Sequence, residues 1–299
     1  MNNHQGYAPT SDEGRLHYRI VGSGPDTVVI PGLHNLEADL TPLTRNHRLI
    51  FYDQRGRGGS DPVQDDSLVW SDYETRDVEA IRQHFDLEQT SLIGWSYLGG
   101  VTALYTLEHD DRVSRLVLMC PIPPRLPSPH ITLEELDKQT ESRIDPLGVK
   151  RLEEMREAGI DAKDPVAYCR EHHRVYRPGQ MGKPEALARM RSDPCIYPNE
   201  WPQNVGQHWK KHLPPESIKF DWRSKLEAIK TPTLVIHGSE DFPVEASREW
   251  VSALPQARLL VIEGSGHFPH LEAPDIFFPA VERFLSGEWP KESAAPPQR

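Results

Sequence analysis

Short apolar runs with little alternation punctuate the chain at Leu16–Val21, Thr27–Ile30, Arg48–Tyr52, Thr90–Ile93, Val113–Cys120, Thr233–Ile236 and Ala257–Ile262. Apolar residues at consecutive positions suit strands buried on both faces, as in a parallel sheet. Helical patterns lie between several of them. Tyr73–Phe85 places Val78, Ile81, His84 and Phe85 on one side, and Tyr97–His109, Val244–Leu254 and Asp275–Leu285 also predict helices. Strand and helix alternating in this way predict an α/β domain built on a mostly parallel sheet.

The alternation stops after Cys120. Pro121, Pro123, Pro124, Pro127 and Pro129 make a stiff connector, and the chain is then charged and without strand runs up to about Asp221. Helices are predicted at Thr132–Arg143, Leu147–Ala158, Pro165–Val175 and Pro202–His212; Pro214-Pro215 marks the return and Thr233 resumes the sheet. The expected division is a core of residues 1–120 and 221–286, an inserted helical cap over 121–220, and a polar, Pro-rich tail over 287–299 that composition predicts to be disordered. A chain of 299 residues is long enough for one large α/β domain with such an insertion.

Charge narrows the partners. Lys plus Arg number 34 and Asp plus Glu 45, a net charge of −11. That lacks the basic footprint of a nucleic-acid binder and would be repelled by anionic membranes. No apolar run approaches the roughly 18–20 residues of a membrane span. Met1–Gly14 is polar, with no signal-peptide core. Cys120, Cys169 and Cys195 are few, odd in number and widely spaced, so no disulfide framework or zinc spacing is visible and a cytoplasmic setting is expected. The expected partner is a small molecule.

Five segments carry chemistry. In Ser91–Gly100 (SLIGWSYLGG) an apolar strand runs into a Gly-preceded serine and then a helix, the arrangement that lifts a serine hydroxyl onto a sharp turn. The usual G-x-S-x-G pattern puts a small residue two places after the serine; here Leu98 stands there, followed by Gly99 and Gly100. In Leu234–Pro243 (LVIHGSEDFP) a strand ends in a turn with two adjacent acids; Asp241 is the choice for orienting a histidine, with Glu240 in reserve. In Gly264–Glu272 (GSGHFPHLE), His267 lies in a Gly-rich loop after the last strand, with His270 expected to pack or bond locally. The chain order Ser96, Asp241, His267, each at a strand end, is that of a nucleophile–acid–base triad on an α/β sheet. Val28–Asn35 (VVIPGLHN) places a Gly loop where a second oxyanion donor belongs, so the backbone N–H groups of Leu33 and Tyr97 are assigned to an oxyanion hole and His34 to the loop surface. Asp53–Ser60 (DQRGRGGS) has no Gly-Lys-Ser/Thr and is expected to be a structural turn, not a phosphate loop.

Across nearly its whole length the chain resembles the α/β-hydrolase superfamily, through the Asp53–Ser60 loop, the Gly94–Gly100 elbow, the His237–Pro243 acid loop and the Gly266–Glu272 histidine loop in order and spacing. The Asp-Gln-Arg-Gly loop and Pro198–Pro202 (PNEWP) resemble the proline iminopeptidase branch, although Pro31–Asn35 departs from that branch's His-Gly-Gly-Pro-Gly. The resemblance implies an α/β-hydrolase fold with a cap. It also implies a serine hydrolase that cleaves a small carboxylic ester or related acyl compound, with no metal or organic cofactor. Two alternatives stand beside it. One is an aminopeptidase removing N-terminal proline, with Glu200 or Asp193 holding the substrate amine; the other is a non-catalytic ligand receptor on the same fold. Trp95, Glu200, Trp201 and Phe268 are the candidate substrate contacts. At least one of Tyr168, Tyr176, Trp201 and Trp209 is expected to face the serine across an open cavity.

Overall fold

The computed structural model describes residues 4–63, 65, 71–130, 132–203 and 219–295. Its strands are β1 (His4–Pro9), β2 (Arg15–Val21), β3 (Asp26–Pro31), β4 (His47–Tyr52), β5 (Thr90–Trp95), β6 (Val113–Met119), β7 (Arg125–Leu126), β8 (Phe220–Asp221), β9 (Thr233–Gly238) and β10 (Ala257–Ile262). Eight of them form one sheet in the order β1-β2-β4-β3-β5-β6-β9-β10. β1–β2 and β2–β4 pair antiparallel, and from β4 to β10 every pairing is parallel.

The continuous apolar runs are explained by two separate cores. Val29, Leu92, Leu116, Leu118 and Val235 point to one face, where Ser71–His84, Tyr97–Glu108 and Val244–Ala253 cover them with Val78, Ile81, Val101, Tyr105 and Trp250. Val28, Ile30, Ile93, Val117, Met119, Leu234 and Ile236 point to the other, where Leu33–Leu36 and Pro274–Leu285 supply Leu36, Phe277, Val281 and Phe284. With both faces dry, neither set of alternate positions is free to be polar.

β7 and β8 pair antiparallel where the chain leaves and re-enters the sheet domain. Between them lie helices at Leu133–Glu141, Pro146–Glu157, Ile160–Lys163, Pro165–Tyr176 and Glu200–Gln203. Their local signals are strong: Thr132 and Glu135 form a reciprocal capping box, and Asp145 and Asp164 cap helices that carry Pro at the first turn. Most of the expected helix Pro202–His212 lies outside the described residues. Among the described residues no helix is long and apolar enough to cross a membrane.

Two expectations are corrected, and one strand was not foreseen. Cys169 and Cys195 form a disulfide inside the cap's own small core of Ile144, Leu152, Tyr168, Val175 and Trp201. A sequence separation of 26 hid a pairing made by packing, and the cytoplasmic expectation loses one of its premises. The described part of the tail packs on the sheet domain: Leu259 and Ala294 exchange two backbone hydrogen bonds at the free edge of β10, and Trp289 packs on Phe284 under the Arg258 guanidinium. The polar N-terminal segment supplies β1, an edge strand that closes on Tyr18 through Gly6.

Candidate active site

Ser96 sits between β5 and the helix Tyr97–Glu108 with φ 55° and ψ −125°, a conformation that an L side chain rarely adopts. The turn is held by the neighbouring strand, since the Ser96 N–H donates to Met119 O at 2.9 Å and its carbonyl accepts from Gly99 and Ile122. A Cβ at Gly94 would lie 2.2 Å from Thr102 Oγ1 and 2.5 Å from the Leu98 carbonyl, so the turn closes only with glycine there. Gly94→Ala is expected to lower the melting temperature by about 5–10 °C, since an overpacking cost of roughly 3 kcal/mol falls where backbone, and not only a side chain, is met; circular dichroism melts check this.

Leu98 is accommodated by a glycine elsewhere. It is buried, and its Cδ1 comes within 3.2 Å of where a Cβ at Gly32 would stand, while Gly99 meets Pro121. Gly32, at φ 89°, therefore leaves the space that a small residue at position 98 would otherwise leave. Leu33 and Tyr97 are the first residues of their helices, ahead of the intrahelical hydrogen-bond ladder. The Gly32 N–H donates to Tyr52 O and anchors the loop.

Asp241 and Glu240 diverge. Asp241 Oδ2 lies 2.8 Å from His267 Nδ1, whereas Glu240 is half exposed and reaches toward Arg143 at 3.7 Å. The acid loop is pressed against the histidine loop: a Cβ at Gly238 would lie 2.2 Å from Gly266 O, and the Glu240 N–H donates to Ser265 O. Burial pushes the His267 pKa down, but the charge and hydrogen bond of Asp241 outweigh it and hold the imidazole above its ordinary 6.5. His270 is buried among Phe268 and Phe277, where burial and the charges of His267 and Arg177 push it down to about 3, so it stays neutral.

Glu272, quoted in the sequence only as the end of a motif, organises the histidine loop. Its buried carboxylate accepts from the N–H groups of Gly266 and Phe268 and, across the cap, of Gly182 and Lys183. The cap touches the same loop again where the His267 N–H donates to Gln180 O. The only advance signal was an acid five residues after His267 in a Gly-rich loop.

Ser96, Asp241 and His267 line one cavity of about 460 Å³. Its far wall comes from the cap: Leu136, Val149, Tyr176 and Trp201, with His172 stacked on Tyr176 at 4.5 Å and set against Trp201 at 4.4 Å. Of the four expected rings, Tyr176 and Trp201 border this cavity, Tyr168 is fully buried behind them in the cap core, and Trp209 lies outside the described residues. Trp95 and Phe268 do not line it. Trp95 donates from Nε1 to His267 O and packs on His267 and Phe268, supporting the histidine from behind.

Glu200 and His34 correct two expectations together. Glu200 is fully buried away from the cavity, taking a bidentate pair from Arg57 (Nε 3.0 Å, Nη2 2.6 Å) and 2.8 Å from His34 Nε2. His34 is not on the surface; its Nδ1 lies 2.5 Å from Asp53 Oδ1. Asp53 also meets His17 Nδ1 and the Gly59 N–H, so the Asp53–Ser60 turn is the base of a buried ion cluster. Asp193 is partly exposed and paired with Arg170. Neither carboxylate proposed for a substrate amine lines the cavity.

A family model described as the alpha/beta hydrolase fold matches residues 30–274. The chain is similar to a proline iminopeptidase of Pestalotiopsis fici, 26% identical over 286 residues that cover 91% of this chain and 96% of that protein. It is also similar to a non-heme haloperoxidase of Rhodococcus erythropolis, 28% identical over 276 residues that cover 87% and 92% respectively. Among solved structures, an esterase from Exiguobacterium antarcticum superposes with a TM-score of 0.69 at 20% identity, covering 95% of this chain and all of that one.

Proposed function

The chain belongs to the alpha/beta hydrolase fold family, and from that premise we propose that it is a serine hydrolase cleaving small carboxylic esters through an acyl-enzyme on Ser96. The observation that carries the reading is the His267–Asp241 hydrogen bond in the same cavity as a conformationally strained Ser96. With Nδ1 committed to Asp241, Nε2 of His267 is left to take the Ser96 proton as Oγ attacks the carbonyl. The Leu33 and Tyr97 amides hold the oxyanion, and His267 returns the proton to the leaving alcohol. A water then attacks the acyl-enzyme with His267 again as base.

Ester is favoured over an N-terminal proline amide because Glu200 and Asp193 are both engaged elsewhere. A receptor role is disfavoured because strain of about 1–3 kcal/mol at a single residue persists where a mechanism uses it. A panel of p-nitrophenyl esters beside proline p-nitroanilide decides. Turnover of esters with little or no release from the proline amide is expected, and the reverse ranking would reject the reading. Substitution of Trp201 or Tyr176 by Ala is expected to change relative kcat/KM between short and long acyl esters by about tenfold, because these rings wall the pocket. Equal losses on all esters would assign the rings to stability alone.

A further inference from the structure

We propose that His34 is a positioning residue: clamped between Asp53 of the sheet domain and Glu200 of the cap, it fixes the adjoining Leu33 amide, so that the oxyanion hole is complete only with the cap docked. The inference rests on the acyl-transfer reading above.

Both ring nitrogens of His34 face carboxylate oxygens, at 2.5 Å to Asp53 and 2.8 Å to Glu200. Ionised carboxylates only accept, so both nitrogens must donate, and only the imidazolium has two N–H groups. With Arg57 on Glu200, the cluster balances two cations against two anions, which lets it persist out of water. Burial pushes His34 down, yet Glu200 and Asp53 raise it to about 9. Burial likewise pushes Glu200 up, and Arg57 and His34 hold it far below the usual carboxylate range. The groups facing His34 are thus Asp53 and Glu200, with His17 behind the first and Arg57 behind the second.

The placement gives the clamp a use beyond cohesion. The Leu33 amide lies between two anchors: Gly32, whose N–H donates to Tyr52 O, and His34, whose ring is held at both ends. Glu200 reaches His34 across 166 residues of chain, and its neighbour Asn199 ties the same cap segment to Gly58 O. An apolar contact would join cap and core at least as well. What the imidazolium adds is a fixed direction for the peptide beside it.

The test compares wild type with His34→Gln and Glu200→Gln on p-nitrophenyl acetate, with active sites titrated by a fluorophosphonate. Expected is a fall in kcat per titrated site of about tenfold or more with KM within about twofold, because a displaced oxyanion donor is missed in the transition state. Binding of a trifluoromethyl ketone should weaken in proportion to kcat/KM. Unchanged kcat per titrated site, with only a lower melting temperature, overturns the proposal. If the variants do not fold, wild-type kcat decides: a fall as pH rises past about 9, where His34 loses its proton, supports it, and a level profile to pH about 10.5 overturns it. Retained turnover in Ser96→Ala would instead reject the acyl-enzyme reading, whatever His34 does.

Discussion

Ser96→Ala is expected to abolish ester hydrolysis, lowering kcat by about a million-fold while the protein remains folded. The size follows from triad members acting as a unit: without the hydroxyl, His267 and Asp241 have no proton to move, and only binding and oxyanion stabilisation remain. Retention of the fold follows from the backbone. Ser96 is held at φ 55° and ψ −125° by a bond to Met119 O and by bonds from the Gly99 and Ile122 N–H groups, all through its main chain. Alanine carries the same Cβ and meets the same strain, so its melting temperature should lie within about 2 °C of wild type. Ser96→Gly should be equally inactive but melt higher than Ser96→Ala, since glycine adopts positive φ at little cost. Kinetics with a sensitive fluorogenic ester, and a melt of each variant, check both points. Substantial turnover by folded Ser96→Ala would remove the nucleophile from the mechanism.

What the sequence disclosed and what it hid divide along the range of the interactions. The central strands were legible because burial on both faces leaves a local mark, a run such as Leu116–Met119 with no polar member. The serine, acid and histidine loops were legible because each is a local turn between a strand and a helix or loop with its own glycines. The cap helices were legible as a charged stretch without strand runs between two Pro-rich connectors. The failures are long-range. His34 is polar and loop-borne, and nothing near it predicts burial; its partners are 19 and 166 residues away. Glu200 looked available to a substrate because Arg57, which neutralises it, lies 143 residues distant. β1 and the Leu259–Ala294 bridge are made by backbone groups at sheet edges, a bond that any residue but proline can donate.

Asp241→Asn is expected to lower kcat/KM at neutral pH by about ten-thousand-fold, whereas Glu240→Gln should stay within about threefold of wild type. An amide can present its NH2 to Nδ1, which turns the imidazole to the tautomer whose Nε2 carries a proton and cannot accept one from Ser96. Glu240 has no such hold, since its side chain points to solvent beside Arg143. The acid also sets the pH dependence. His267 must be neutral to act as base, so kcat/KM rises with pH as the imidazolium loses its proton, and Asp241 places that rise above 6.5. In Asp241→Asn burial is opposed only by the smaller pull of the Glu272 charge, and the residual activity should rise at a lower pH than in wild type. The pH profiles of kcat/KM for the two variants, measured on one ester, test size and direction together. A crippled Glu240→Gln beside an active Asp241→Asn would transfer the role to Glu240. A large loss in Asp241→Asn with its acid limb unmoved would show that Asp241 holds the loop in shape without governing the charge of His267.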